Sequence, residues 1–303
     1  MLAWHTQPMP RAVLPTGIEL EYDTFGSPDD PTLLLVMGFT AQMIGWDEQF
    51  CSMLADRGRH VVRYDNRDCG LSTHLDGVSV DTDGVLAVAL SGEGTMPEVP
   101  YLLSDMAADG IGLLDHLGVD RAHVVGASMG GMIVQTMAIE HPDRLHSVVS
   151  VMSTTGDPSV GRSAPEAMEA LLAAPPTDRD AYIDSSSRWA IWASKRYYDA
   201  ERARRNAAAA YDRAFYPEGA SRQMAAILAS GDRTSRLGGV QVPMLVIHGE
   251  DDTLIEPSGG VATAAAVPGA RLVRLADMGH DIPEPLWPTV VDEIIGHGDS
   301  AVA

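Results

Sequence analysis

The early chain alternates between short apolar runs and stretches with a helical stripe. Residues 18–26, IELEYDTFG, alternate apolar and polar positions and read as a half-exposed strand. Residues 32–38, TLLLVMG, are a continuous apolar run closed by glycine, the pattern of a parallel strand covered on both faces. Residues 46–58 have helical spacing and stop on a glycine. A strand over 60–65, an amphipathic helix over 101–119 and a strand over 122–128 follow, then a helix halted near Pro142 and a strand over 145–153. Residues 79–100 read as a long loop with a short helix in it.

The alternation breaks after Ser153. From about 157 to 232 no strand pattern stands out; the stretch is rich in Ala, Arg, Asp and Glu, reads as several helices, and is interrupted at Pro175 and Pro176. Strands resume with VPMLVIHGEDD (242–252), a buried run entering an acidic turn. A helix over 258–267, a strand stretch RLVRLADMGHDIP (271–283) that ends in a loop, and a last helix over 288–297 complete the chain. Strand and helix in alternation mean an α/β fold, a mostly parallel central sheet with helices on both faces. The expected organisation is a core from 1–153 and 236–303, with a helical cap, 154–235, inserted between two core strands.

Composition narrows the partners. At 303 residues and 45% hydrophobic, the chain is long enough for a large core with a subdomain. Its formal net charge of −21 comes from scattered acids, a field that repels phosphate backbones and anionic lipid. Nucleic acid and membrane are therefore not expected as partners; a homo-oligomer is compatible with the composition. The amino-terminal stretch lacks the basic start and apolar run of a signal peptide, and no apolar run approaches the roughly 20 residues that span a bilayer, so a cytoplasmic location is the expectation. Cys51 and Cys69 form no CxxC pair and no disulfide framework; two free thiols are expected, with a single bridge left to geometry.

The chemistry gathers in three loops. Gly126-Ala127-Ser128-Met129-Gly130 fits G-x-S-x-G between an expected strand and an expected helix, which is the context a nucleophile elbow requires. Glycines at 126 and 130 make room for a turn sharp enough to lift a serine hydroxyl above a helix N-terminus. A glycine-rich turn with an incidental serine is the plainer alternative, and the later partners decide against it. A serine needs a base. Of ten histidines, His123 lies within a strand, His116 and His141 close helices, and His248 ends a strand. His280, in DMGHDIP, lies in a loop after a late strand, where functional side chains concentrate. The acid that orients it is expected to be Asp252, with Asp251 second and Asp157 a structural runner-up. The chain order is then Ser128, Asp252, His280, the order expected where the serine sits on a nucleophile elbow. The amides of Met129 and Phe39 are the expected oxyanion donors, with Gly38 letting the backbone approach. Trp189 and Trp192, three apart on an expected helix, are either cap core or, with Phe39, Met129 and Ile282, the wall of an apolar substrate pocket.

These residues carry a family likeness. LLLVMGF, VVRYDNRDCGLST, VVGASMGGMI, PMLVIHGEDD and DMGHDIP resemble the α/β-hydrolase serine esterases with a helical cap, and most of all those of the aclacinomycin methylesterase type. The resemblance covers nearly the whole chain. It implies hydrolysis of a small-molecule carboxylic ester, with Ser128 as nucleophile, Asp252 as acid, His280 as base, and Phe39 and Met129 as oxyanion donors. The common His-Gly of the oxyanion turn is Met37-Gly38 here, and the cap does not obviously match. Enol-lactonases, carbon–carbon bond hydrolases and perhydrolases share the constellation, and a hydrolase-fold receptor for a small ligand is a further alternative. RYDNRDCGLS (63–72) is read as structural, with Arg67 and Asp68 pairing to hold a turn. No cofactor and no metal are expected: H-E-x-x-H, zinc spacing and a phosphate loop are all missing, and DGIGLL (109–114) lies inside a helix.

Overall fold

A computed structural model of the chain describes residues 9–302; residues 1–8, which hold part of the stretch read above for a signal peptide, and residue 303 lie outside the described residues. The strands are β1 (Arg11–Val13), β2 (Glu19–Phe25), β3 (Thr32–Val36), β4 (His60–Tyr64), β5 (Ala122–Ala127), β6 (Leu145–Val151), β7 (Met244–Gly249) and β8 (Arg271–Leu275). They form one sheet in the order β1-β2-β4-β3-β5-β6-β7-β8. Pairing is antiparallel for β1 with β2 and β2 with β4, and parallel from β4 to β8.

The period of two along the central strands sorts side chains into two cores. In β3, Leu34 and Val36 face one core while Leu33 and Leu35 face the other; in β7, Met244 and Val246 part from Leu245 and Ile247 in the same way. The first core is closed by α3 (Leu103–His116) and α4 (Met129–Glu140), the second by α1 (Glu48–Ala55) and α11 (Trp287–Val302). Between α1 and α3, α2 (Thr82–Ser91) is a helix of 10 residues, started by the Asp81 side chain on Gly84 N–H and ended by left-handed Gly92. The segment over 79–100 is thus a loop that carries one short helix, as the sequence reads.

The residues between β6 and β7 hold α5 (Pro165–Leu172), α6 (Arg179–Ser185), a 3-10 turn (Ser186–Ile191), α7 (Ala200–Arg213), α8 (Gly219–Ser230) and α9 (Thr234–Leu237). No strand interrupts them among the described residues. The chain then passes β7, α10 (Ser258–Ala266) and β8. No helix among the described residues is long and apolar enough to cross a membrane. Cys51 and Cys69 are both free and buried.

One reading of the sequence needs correction. Arg67 does not pair with its neighbour Asp68. It forks onto Asp109 of α3 at 2.6 and 2.7 Å. Asp68 instead takes both prongs of Arg222 on α8 at 2.8 Å each, and the Tyr101 hydroxyl at 2.8 Å. Asp68 has φ +60°, and the turn points the two side chains to different partners.

Candidate active site

The strand order reverses between β3 and β5: the chain runs from β3 to β4 on one side, then returns to place β5 on the other. Such a reversal opens a crevice at the carboxyl ends of the two strands, where ligands of open α/β sheets bind. The turn after β5 carries Ser128 and the turn after β3 carries Gly38 and Phe39.

Ser128 sits at φ +57° and ψ −119°, a region that L-residues avoid. The neighbours leave it no other choice. A Cβ on Gly126 would overlap the Gly130 carbonyl, one on Gly130 would overlap the Val36 carbonyl, and one on Gly131 would press on Ser153. Ser128 N–H donates to the Val151 carbonyl at 2.9 Å, and the Ser153 hydroxyl donates to the Ser128 carbonyl at 2.8 Å. The turn is therefore tied from both ends of one residue to the last residue of β6 and to the loop just after it, and α4 begins at the next residue. Neither the Met129 N–H nor the Phe39 N–H has a protein acceptor among the described residues. A Cβ on Gly38 would stand 3.0 Å from the Ser128 Cβ, so the two turns are in contact.

His280 closes the site from the far loop. Its Nε2 lies 3.0 Å from Ser128 Oγ and its Nδ1 2.7 Å from Asp252 Oδ2. With Nδ1–H donated to the carboxylate, Nε2 presents its lone pair to the serine hydroxyl. Asp252 is 3% exposed. Its other oxygen accepts the N–H groups of Leu254 and Ile255, each at 2.9 Å. Burial alone would push this carboxyl up; the charge of His280 and hydrogen bonds from His248 and His280 outweigh it and hold the group at about 2. Asp251 instead faces Lys195 at 3.7 Å, and the Asp157 carboxylate accepts Ser159 N–H at 2.8 Å. Of the three acids considered, Asp252 is the one on His280.

The acid and histidine loops are locked together. Asp251 N–H donates to the Met278 carbonyl at 2.9 Å, and a Cβ on Gly249 would collide with that carbonyl. The stretch after the 3-10 turn presses on both. His280 N–H donates to the Trp192 carbonyl at 2.6 Å, Ser194 N–H to Asp281 Oδ1 at 2.8 Å, and Thr253 Oγ1 to the Ile191 carbonyl at 2.8 Å. Burial raises the Asp281 carboxyl. Trp192 thus meets the site through its backbone, at the end of a 3-10 turn instead of an α-helix; the side chains of Trp189 and Trp192 are half-buried. Ile282 packs on the second core, and Phe39 against the first.

Two residues at the site had only dull expectations or none. His248, at 0% exposure, donates from Nε2 to the Ile255 carbonyl at 2.8 Å and lies 3.5 Å from Asp252 Oδ2, so it backs the acid loop. Gln223 of α8 accepts the Thr40 N–H, one residue beyond Phe39, at 2.8 Å. The i,i+4 spacing of His248 and Asp252 was visible in the sequence; nothing marked Gln223. Among the described residues, no three or more His, Cys, Asp or Glu side chains converge as metal ligands would.

Comparison with known proteins agrees with this architecture. A family model described as the alpha/beta hydrolase fold matches residues 31–284. Rhodomycin D methylesterase DnrP of Streptomyces peucetius is 28% identical, the match covering 96% of this chain and 98% of the relative. A putative carbamate hydrolase of Variovorax paradoxus is 28% identical over 86% of this chain and 89% of its own length. Among solved structures, the enol-lactonase from Burkholderia xenovorans superposes with a TM-score of 0.70 at 25% identity, covering 95% of this chain and 99% of the other.

Proposed function

The chain belongs to the α/β-hydrolase family, and from that premise we propose that it is a serine esterase, hydrolysing small to medium apolar carboxylic esters through an acyl-enzyme. The observation that carries this reading is the continuous hydrogen-bonded chain from Ser128 through His280 to Asp252, at 3.0 and 2.7 Å. His280 Nε2 takes the hydroxyl proton as Ser128 Oγ adds to the ester carbonyl. The oxygen that becomes negative is met by the free amides of Met129 and Phe39 and by the N-terminus of α4. His280, now charged, is balanced by Asp252 and gives its proton to the departing alcohol. Water activated at the same Nε2 then releases the acid. The chemistry so written uses no cofactor.

In this reading the helices between β6 and β7 act as a cap, and Trp189, Trp192, Phe39 and Ile282 wall the substrate, with Gly38 leaving space for the carbonyl. A second reading keeps the residues and changes the ester to a cyclic one. It is favoured by the likeness to the enol-lactonase, which extends over 95% of this chain. A lactone places the same carbonyl before the same donors, with the alcohol still tethered.

The test is covalent. An organophosphonate should attach once per chain, at Ser128, as read by peptide mass spectrometry. Ser128→Ala should neither label nor turn over p-nitrophenyl butyrate. Labelling at another residue, or an unlabelled wild type inert towards a graded panel of esters and lactones, defeats the proposal.

A further inference from the structure

Thr40 follows Phe39 directly and has φ +55°, a conformation that strains a β-branched residue. The contact that holds its amide comes from α8, 183 residues further along: Gln223 Oε1 accepts the Thr40 N–H at 2.8 Å. Gln223 Nε2 donates to the Arg67 carbonyl at 2.9 Å. The side chain is 0% exposed. One partner must be a donor and the other an acceptor, so the orientation of the buried amide is fixed. It bridges the loop after β3 to the loop after β4.

The bonds around Phe39 leave one amide over. Asn66 Nδ2 donates to the Met37 carbonyl at 2.9 Å, and Ala41 N–H to the Gly38 carbonyl at 3.2 Å. With Thr40 N–H held by Gln223, the peptides on both sides of the Gly38–Phe39 unit are tied. The Phe39 N–H between them has no protein acceptor among the described residues. An amide fixed in direction and left empty is what stabilisation of a developing oxyanion requires, because reorganisation at the moment of reaction would forfeit the gain.

We infer that Gln223 is a positioning residue: through Thr40 it aims the Phe39 N–H at the oxyanion, so the helical insertion takes part in the chemistry by one hydrogen bond. This rests on the serine-esterase reading above. Gln223→Met keeps the volume and removes both bonds. Its kcat on p-nitrophenyl butyrate should fall on the order of ten- to a hundredfold while KM stays within roughly threefold. Affinity for a trifluoromethyl ketone, which forms the tetrahedral oxyanion on the serine, should fall by the same factor as kcat/KM. A variant whose kcat stays within roughly threefold of wild type overturns the inference, as does one that loses rate with unchanged ketone affinity. If Gln223→Met does not fold, Gln223→Asn, one methylene too short to reach Thr40, is judged on the same terms. A wild type that neither hydrolyses the ester nor binds the ketone defeats the esterase reading itself; a wild type that does both, matched by its variant, defeats this inference alone.

Discussion

The sheet and the helical insertion are held together by different forces. The middle of the sheet is held by burial: β3 is buried at every position, as are β5 and β7. The hydrophobic residues that α5 to α8 bury are Ala167, Ile183, Ala203, Ala207, Ala225 and Ala226, mostly a single methyl each. Burying alanine removes little area from water, so the insertion gains little from it. Its attachment is point to point: Arg222 onto Asp68, Arg213 onto Asp65 at 2.7 Å, Gln223 onto Thr40, and Gln42 Nε2 onto the carbonyls of Ala210 and Ala214 at 2.7 and 2.8 Å. A core made by area tolerates single losses in proportion to volume. An attachment made by buried polar pairs fails through the partner left behind.

The largest effect should separate chemistry from both kinds of packing. On the proposed serine-esterase reading, Asp252→Asn keeps the shape and loses the charge that would fix the His280 tautomer, and kcat should fall on the order of 10⁴-fold. Asp251→Asn, whose carboxylate faces Lys195, should stay within roughly threefold. Steady-state kinetics on one ester decides the pair. If Asp251→Asn is the crippled variant, the acid has been misassigned in spite of the 2.7 Å contact to His280.

The insertion is tested next, at Arg222. This guanidinium also reaches the Val78 carbonyl at 3.0 Å and the Tyr216 hydroxyl at 2.7 Å, while the Asp68 side chain is 0% exposed. Arg222→Met leaves a buried carboxylate without its cation, and should lower unfolding free energy by about 3–5 kcal/mol. Adding Asp68→Asn should recover part of that loss, since the damage lies in the orphaned charge. Chemical denaturation of the single and double variants measures it. A loss below about 1 kcal/mol, typical of exposed pairs, would erase the distinction between the two regions.

The same distinction explains what was legible. A continuous apolar run such as TLLLV has few options, and burial on both faces of a parallel sheet is the one that α/β alternation leaves. G-x-S-x-G was readable because steric crowding at 126, 130 and 131 admits only glycine, and the positive φ of Ser128 is its counterpart in space. The helical insertion was readable as a class, because alanine- and arginine-rich stretches exclude strands. Its attachment was not. Arg67 and Asp68 look like a local pair, yet their partners lie 42 and 154 residues away, and no periodicity encodes such a choice. Gln223 carries no motif at all. The short edge strand β1, three residues long and paired only with β2, also left no pattern. Trp189 and Trp192 had helical spacing, and a 3-10 turn places them instead; three-residue spacing suits both geometries.

The smallest effect belongs to the core and concerns pH. His123 in β5 is 3% exposed, and its Nδ1 lies 2.8 Å from Ser147 Oγ. Burial above all, then the charges of His146, Arg59 and His297, lower it to about 4, against a weaker opposing pull from Asp299. The unfolded chain therefore takes up this proton first. Stability from His123 is fully present above the ordinary histidine value of about 6.5 and is lost as pH falls from there towards 4. Asp252, depressed to about 2, acts in a separate window: its contribution is present above the ordinary carboxylate value and fades only as pH falls from about 4 towards 2. Melting temperatures between pH 7.5 and 5 should thus decline more steeply in wild type than in His123→Gln, whereas Asp252→Asn should leave that slope unchanged. Equal slopes in wild type and His123→Gln would mean that the buried histidine does not set the acid limit of the sheet. A flattened slope in Asp252→Asn would mean that the site, rather than the far end of β5, yields first to acid.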